Sequence, residues 1–217
     1  MKIMFVELRH LQHQYPGSTT RLPYPDTEIV QGALHVLLGN SGSGKSTLLH
    51  ILAGLLRPTS GEVWVDGSEL GKMSDSALDR FRGDRMGIVF QQHHLIGVLT
   101  IEENLALAAT MVGKKASKKR ITHLLESLDI TSQRQKRPSQ LSEGQRQRAS
   151  IARALMNEPS ILLADEPTSA LDDSRAAQFM SMLAEISDAE QTTLVVATHD
   201  ARIVPFFDHV TQLEDPS

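Results

Sequence analysis

The chain has 217 residues, enough to bury a substantial core as one domain. Its 22 Lys and Arg against 26 Asp and Glu give a formal net charge of −4, and aromatics are only 4%, with Trp64 the single tryptophan; both facts argue against a protein that mainly binds nucleic acid. With no cysteine, disulfides and thiolate metal sites are excluded and a reducing compartment is compatible, while no apolar run approaches the roughly 18 residues that span a bilayer, so the chain by itself reads as soluble.

Residues 2–8 alternate in the manner of an edge strand, and Met1 to Val6 is too short for a signal-peptide core. A turn at Tyr15-Pro16-Gly17 opens an irregular stretch that Pro23 and Pro25 continue, and a strand around Glu28–Val30 ends at the Gln31-Gly32 turn. The apolar run Leu34–Leu38 reads as a buried strand. It leads into Gly39-Asn40-Ser41-Gly42-Ser43-Gly44-Lys45-Ser46, which meets every fixed position of the phosphate-binding loop pattern G-x-x-x-x-G-K-S/T. A helix over Thr47–Ala53 follows. In that context the glycines let the backbone wrap a polyphosphate, and the loop amides and helix N-terminus face the anion. Lys45 reaches the β- and γ-phosphates and the Ser46 hydroxyl binds Mg²⁺. The pattern specifies a nucleotide site.

After a break at Pro58–Gly61, Val63–Val65 forms a strand closed by the tight-turn pair Asp66-Gly67, and Ser74 caps a short helix reaching Phe81. Met86–Phe90 is the next buried strand. Gln91 and Gln92 stand at its C-terminal end, the edge where ligands sit in open α/β sheets. Residues 93–99 read as a loop. Thr100-Ile101-Glu102-Glu103 is a capping box opening a helix to about Met111, Gly113 stops it, and Ser117 caps a helix over 118–128. A polar segment over 131–140 leads to Leu141-Ser142-Glu143-Gly144-Gln145, which opens a long helix over 144–156. Ile161–Ala164 is a continuous apolar strand of the parallel, doubly covered kind, ending in Asp165-Glu166-Pro167. A helix from about Asp173 to Ile186, a strand over Thr193–Ala197 ending at Thr198-His199-Asp200, and a possible strand over 209–213 complete the chain. The alternation is that of an α/β protein with a mainly parallel sheet, interrupted by an all-helical lobe over 100–158. Asp165, mounted at the end of an apolar strand, suits a carboxylate that organises Mg²⁺. Glu166 beside it suits a general base for an attacking water, a role typically worth about 10²–10⁴ in rate.

In order and over nearly the whole length, these motifs make the chain resemble the ABC-type ATPases, the nucleotide-binding subunits of ABC transporters. Gly39–Ser46 resembles Walker A, Gln91 the Q-loop glutamine, and Leu141–Gln145 the family signature. Ile161–Asp165 with Glu166 resembles Walker B and its base, Ser169-Ala170-Leu171-Asp172 the D-loop, and His199 the switch histidine. The resemblance implies a single ABC ATPase domain over 1–217 with a P-loop NTPase (RecA-like) core, a small antiparallel β region and an inserted helical lobe. The core would take 1–91 and 159–217, and the signature lobe 92–158. ATP would lie on Gly39, Asn40, Ser41, Gly42, Ser43, Gly44, Lys45, Ser46 and Thr47, with Tyr15 stacking on adenine and Tyr24 as the weaker candidate. Mg²⁺ would be held by Ser46, Gln91 and Asp165, and Glu166, His199, Gln91 and Lys45 would serve hydrolysis. Ser142, Gly144 and Gln145 of a second copy would close over the γ-phosphate in a head-to-tail dimer, with Asp172 at the seam. The signature departs from the usual Leu-Ser-Gly-Gly-Gln, because Glu143 replaces the first glycine. A carboxylate pointing at a triphosphate would repel it, so the side chain is expected to face away.

The compact chain and the Gly87–Gln91 stretch are similar to the branch of lipoprotein-release, macrolide-export and cell-division ATPases. That likeness implies an exporter or a lipid-, lipoprotein- or peptide-extruding complex. Its polytopic permease would be contacted near His94, Leu95 and Ile96, at the cytoplasmic face of the inner membrane, with no nucleic-acid partner. A non-transport ABC ATPase of DNA repair or translation would usually carry coiled-coil or zinc insertions, and a P-loop kinase would leave 141–145 and His199 unexplained. The basic run Lys114, Lys115, Lys118, Lys119 and Arg120, with Arg134, Lys136 and Arg137, reads as solvated helix ends. The pairs His93-His94 and His10/His13 lack a carboxylate or Cys to complete a metal set.

Overall fold

The computed structural model describes residues 4–169 and 171–215. The chain runs through β1 (Met4–His13), β2 (Leu22–Pro23), β3 (Thr27–Val30), β4 (Leu34–Leu38), α1 (Lys45–Leu52), β5 (Ser60–Val65), β6 (Ser68–Glu69) and α2 (Asp75–Arg85). It continues with β7 (Met86–Val89), α3 (Ile101–Met111), α4 (Lys118–Ser127), α5 (Glu143–Leu155), β8 (Ile161–Asp165), α6 (Asp173–Ala189), β9 (Thr193–Thr198) and β10 (His209–Gln212).

β1 is the spine of an antiparallel sheet. β3 and β2 pair with it on one side, through Val6↔Ile29 and Gln12↔Pro23, and β5 on the other, through Leu8↔Val63. The edge strand expected at 2–8 is therefore an interior strand that runs on to His13; Lys2 and Ile3 lie outside the described residues. The physical reason is a bulge. His10 adopts φ +49° and the register with β5 shifts between Arg9 and Gln12, so Leu11 and His13 turn inward after Val6 and Leu8. Gly61 passes opposite that bulge at φ +84°, where a Cβ would lie 2.3 Å from the His10 carbonyl oxygen.

The second sheet is parallel throughout, in the order β10-β4-β9-β8-β7. β9 stands between β4 and β8, so the loop after β4, Asp165 of β8 and His199 after β9 share one sheet edge. Both faces are buried, which is why β8 and β9 read as continuous apolar runs. One face carries Leu37, Leu163 and Val195, packed with Leu48 and Leu52 of α1 and with Leu8 and Val63 of the antiparallel sheet. The other carries Leu162, Ala164 and Val196, packed with Ile151 and Leu155 of α5, Leu105 of α3, Leu124 of α4 and Met180 of α6. Fully burying each such side chain contributes roughly 1.5–3 kcal/mol, so this pair of cores holds the shared edge rigid.

The helices begin where their caps lie. Thr100 and Glu103 form a reciprocal capping box on α3, and Ser117 caps α4. α2 outruns the end expected at Phe81, because Asp75 at its start and Arg82 and Arg85 in its last turn suit the helix dipole. Gly83 within it leaves room for Val112. Two residues read as solvated basic ends are clamps instead. Arg120 donates to both Glu190 oxygens (2.8 and 2.6 Å) and to the Leu155 carbonyl, tying α4 to α5 and the end of α6, and Arg134 grips Glu102 on α3. Among the described residues no helix is long and apolar enough to cross a membrane.

Candidate functional site

The loop after β4 turns directly into α1. Gly42 and Gly44 take φ +90° and +87°, a region glycine enters without steric cost, and no side chain caps the helix. The first-turn N–H groups of α1 are thus free to meet an anion. Over the loop opens a cavity of about 550 Å³, lined by Tyr15, Leu22, Ser41, Gly42, Gly44, Lys45, Ser46, Thr47, Gln91, Glu166 and His199. Ser43 is a buried member of the loop, and Gly39 and Asn40 offer their carbonyl oxygens to Lys45 Nζ at 3.0 and 2.7 Å.

Ser46 Oγ donates to Asp165 Oδ1 at 3.0 Å, so the two residues meet across the intervening strand β9. Burial raises the Asp165 carboxyl above its ordinary range, and the Glu166 charge adds to this against the Ser46 hydrogen bond. A hydroxyl and a desolvated carboxylate on a rigid edge are hard oxygen donors, and they fit Mg²⁺. Gln91 is exposed at the mouth of the cavity.

Glu166 follows at φ +48°, a left-handed backbone that costs a side-chain-bearing residue on the order of 1 kcal/mol. The end of β9 holds it there. Its N–H donates to the Ala197 carbonyl at 2.8 Å. Its carboxylate accepts from Thr198 Oγ1 at 2.9 Å and the His199 N–H at 3.2 Å, and lies 2.9 Å from His199 Nδ1. Lys45 Nζ stands 3.8 Å away. Thr198 carries no motif in the sequence; its signal there is a hydroxyl beside the histidine at a strand end.

The two tyrosines separate cleanly. Tyr15 is 43% exposed, rests edge-on against His13 with centroids 4.7 Å apart, and has its hydroxyl 3.0 Å from Thr47 Oγ1. Tyr24 is buried under the loop and donates to the Gly44 carbonyl at 3.2 Å, and burial pushes its phenol up. It supports the loop and offers no open face, which removes it as an adenine platform.

Ser142, Gly144 and Gln145 do not line this cavity. They form the start of α5, with Ser142 and Gly144 exposed and Gln145 half-buried, where Ser142 Oγ accepts the Gln145 N–H at 3.3 Å and Gln145 Oε1 accepts the Ser142 N–H at 3.0 Å. A Cβ on Gly144 would meet nothing within 4 Å. The Glu143 carboxylate turns toward His93 and Arg146. Asp172 caps α6 by accepting the Arg175 N–H at 3.0 Å, and Ala170 beside it lies outside the described residues. In the loop after β7, His94 stands edge-on to Phe90, Asn104 Oδ1 accepts the Ile96 N–H, and Ile96 and Val98 are exposed.

A family model described as ABC transporter matches residues 25–169. Over 192 residues the chain is 43% identical to the macrolide export ATP-binding/permease protein MacB of Agrobacterium fabrum, covering 88% of this chain and 30% of that protein. Over 190 residues it is 40% identical to the lipoprotein-releasing system ATP-binding protein LolD of Xanthomonas euvesicatoria, covering 87% of this chain and 78% of that protein. The chain therefore spans about a third of the MacB proteins it matches. The fold is similar to a dimeric post-hydrolysis structure of the ATP-binding cassette MJ0796 bound to ADP and Pi, with a TM-score of 0.84, 35% identity, and 97% of this chain and 94% of that chain covered. The family match, the relatives' identity and the shared cassette fold agree: this chain belongs to the ABC transporter family.

Proposed function

We propose that the chain is the ATP-binding and ATP-hydrolysing subunit that powers a separate membrane permease. The observation that carries this reading is the convergence of Lys45, Ser46, Glu166 and His199 on one cavity over a glycine loop, with Asp165 hydrogen-bonded to Ser46 behind it. ATP places its phosphates on the loop amides and Lys45, with adenine against Tyr15. Ser46 and Asp165, with Gln91 at the mouth, would hold Mg²⁺, which would supply positive charge to offset that of the triphosphate. Glu166 takes the proton from the attacking water, Thr198 and His199 keep its carboxylate aimed, and His199 meets the γ-phosphate. Ser142, Gly144 and Gln145 of a second copy close the site, with Asp172 at the seam, and hydrolysis releases the pair. The dimeric cassette with ADP and Pi supports that assembly. Residues 92–158 act as the signature lobe on a core formed by 1–91 and 159–217. The loop with His94, Leu95 and Ile96 meets the permease at the cytoplasmic face of the inner membrane. The MacB and LolD likenesses favour export or lipoprotein extrusion over import.

Glu166→Gln tests the reading. ATP binding persists, steady-state phosphate release slows by about 10²-fold or more, and an ATP-bound dimer accumulates on a sizing column. Hydrolysis at the parent rate would remove Glu166 from the base role. Phosphate appearing on an acceptor in place of free phosphate would replace the hydrolase by a kinase.

A further inference from the structure

Glu143 occupies the first position of α5, between Ser142 and Gly144. The ATP-sandwich dimer of the proposed function brings a γ-phosphate to that point, and the importance of this carboxylate rests on that reading. A free carboxylate there opposes the N–H groups and dipole that attract the anion.

In this chain the carboxylate is held. Its Oε1 lies 2.8 Å from Nε2 of His93, in the segment just after Gln91. Its Oε2 accepts from Arg146 Nε at 3.0 Å and also from Nη2. Arg146 is one turn along the same helix, is fixed by the Leu141 carbonyl at 2.7 Å, and holds the second carboxylate oxygen. The one hold from outside α5 among these contacts is His93, whose side chain is 15% exposed against 59% for Glu143. Its backbone is anchored, since Arg153 Nη2 donates to the His93 carbonyl at 3.1 Å and Nη1 to the His94 carbonyl at 2.5 Å. The hydrogen bonds from Arg146 and then His93 hold the Glu143 carboxyl below the usual carboxylate range. It is therefore a charge to be managed at neutral pH.

We propose that His93 is a positioning residue for ATP-driven dimerisation: it draws the Glu143 carboxylate back from the phosphate-receiving end of α5, so that a signature bearing an acid in place of glycine still accepts a triphosphate. The same contact joins the Gln91 segment to the signature helix.

The test is a charge-removal rescue in full-length chain carrying Glu166→Gln, read as the ATP concentration that half-saturates dimer formation. Binding of a fluorescent ribose-labelled ATP to the monomer and the melting temperature are measured alongside. His93→Ala removes the hold from outside α5, leaving the carboxylate tied only within its own helix, and raises the half-saturating ATP about tenfold while monomer binding stays put. His93→Ala with Glu143→Gln returns it to within about twofold of the parent, because the repulsive charge is gone. The double variant carries the same truncation at 93, so recovery cannot come from restored packing. A double variant as weak as His93→Ala, or a His93→Ala chain that dimerises like the parent, would overturn the proposal. Failure of the Glu166→Gln parent to dimerise with ATP would instead overturn the dimer reading, and this proposal with it.

Discussion

Glu166 shows how a residue at the site is built from its neighbours. Its left-handed backbone is a local cost, met by contacts from the last residues of β9, and the outcome is a carboxylate pointed at Lys45. Spacing makes Lys45, Ser46, Asp165 and Glu166 legible in the sequence, because each sits at a junction of strand and loop where a polar residue breaks an apolar or glycine pattern. Their supports were not legible. Thr198 looks like any β-branched strand residue, and Tyr24 between two prolines looks like a loop tyrosine. The tyrosines give a prediction at this scale. Tyr15→Ala removes a base-stacking face worth about 1–3 kcal/mol, so the KM for ATP rises roughly tenfold with little change in melting temperature. Tyr24→Phe removes the hydrogen bond to Gly44, lowering stability by about 1 kcal/mol with a small change in KM. Steady-state kinetics and thermal melts separate the two, and a Tyr24→Phe chain with the larger KM effect would reverse the assignment.

At the scale of elements, legibility followed burial. β8 and β9 announced themselves because two covered faces demand unbroken apolar runs, and α3 and α4 because their caps are written in Thr and Ser. β1 is longer than its alternation shows because the bulge at His10 shifts the pattern halfway along it, and the two-residue β2 has no pattern at all. The pairing of β4 with β10 holds something else that periodicity does not show. His35 on β4 is 3% exposed, places Nε2 2.8 Å from Thr211 Oγ1, and stands beside His209. Burial, and then the His209 charge, lowers its pKa from 6.5 to about 4. The unfolded chain therefore takes up this proton first as pH falls. The stabilisation is complete above about pH 6.5 and is lost progressively toward pH 4, amounting to on the order of 3 kcal/mol at most. Urea midpoints between pH 7 and 4.5 check this. The parent should lose stability across that window more steeply than His35→Gln, and parallel curves would sink the assignment.

At the scale of the whole molecule, the parallel sheet gathers the glycine loop, Gln91, Asp165, Glu166 and His199 along one edge, the antiparallel sheet adds Leu22 and, just past β1, Tyr15, and the signature stands apart. The start of α5 is exposed, and Gly144 has open space where a side chain would go. Glycine there weakens the helix start without relieving any crowding among the described residues, and the proposed dimer gives it a use. In the proposed head-to-tail pair, each signature would finish the other copy's site. The absence of cysteine makes this directly measurable. Chains carrying Ser41→Cys on the loop and chains carrying Ser142→Cys on the signature, both with Glu166→Gln and one of them tagged, are mixed with ATP and oxidised. Head-to-tail pairing brings loop to signature, so a covalent product joins tagged to untagged chains and forms with ATP but not with ADP. Each variant alone leaves its thiols facing serine and gives little product. Equal cross-linking within either variant alone would mean that like meets like across the interface, and the sandwich would have to be abandoned for a different symmetry.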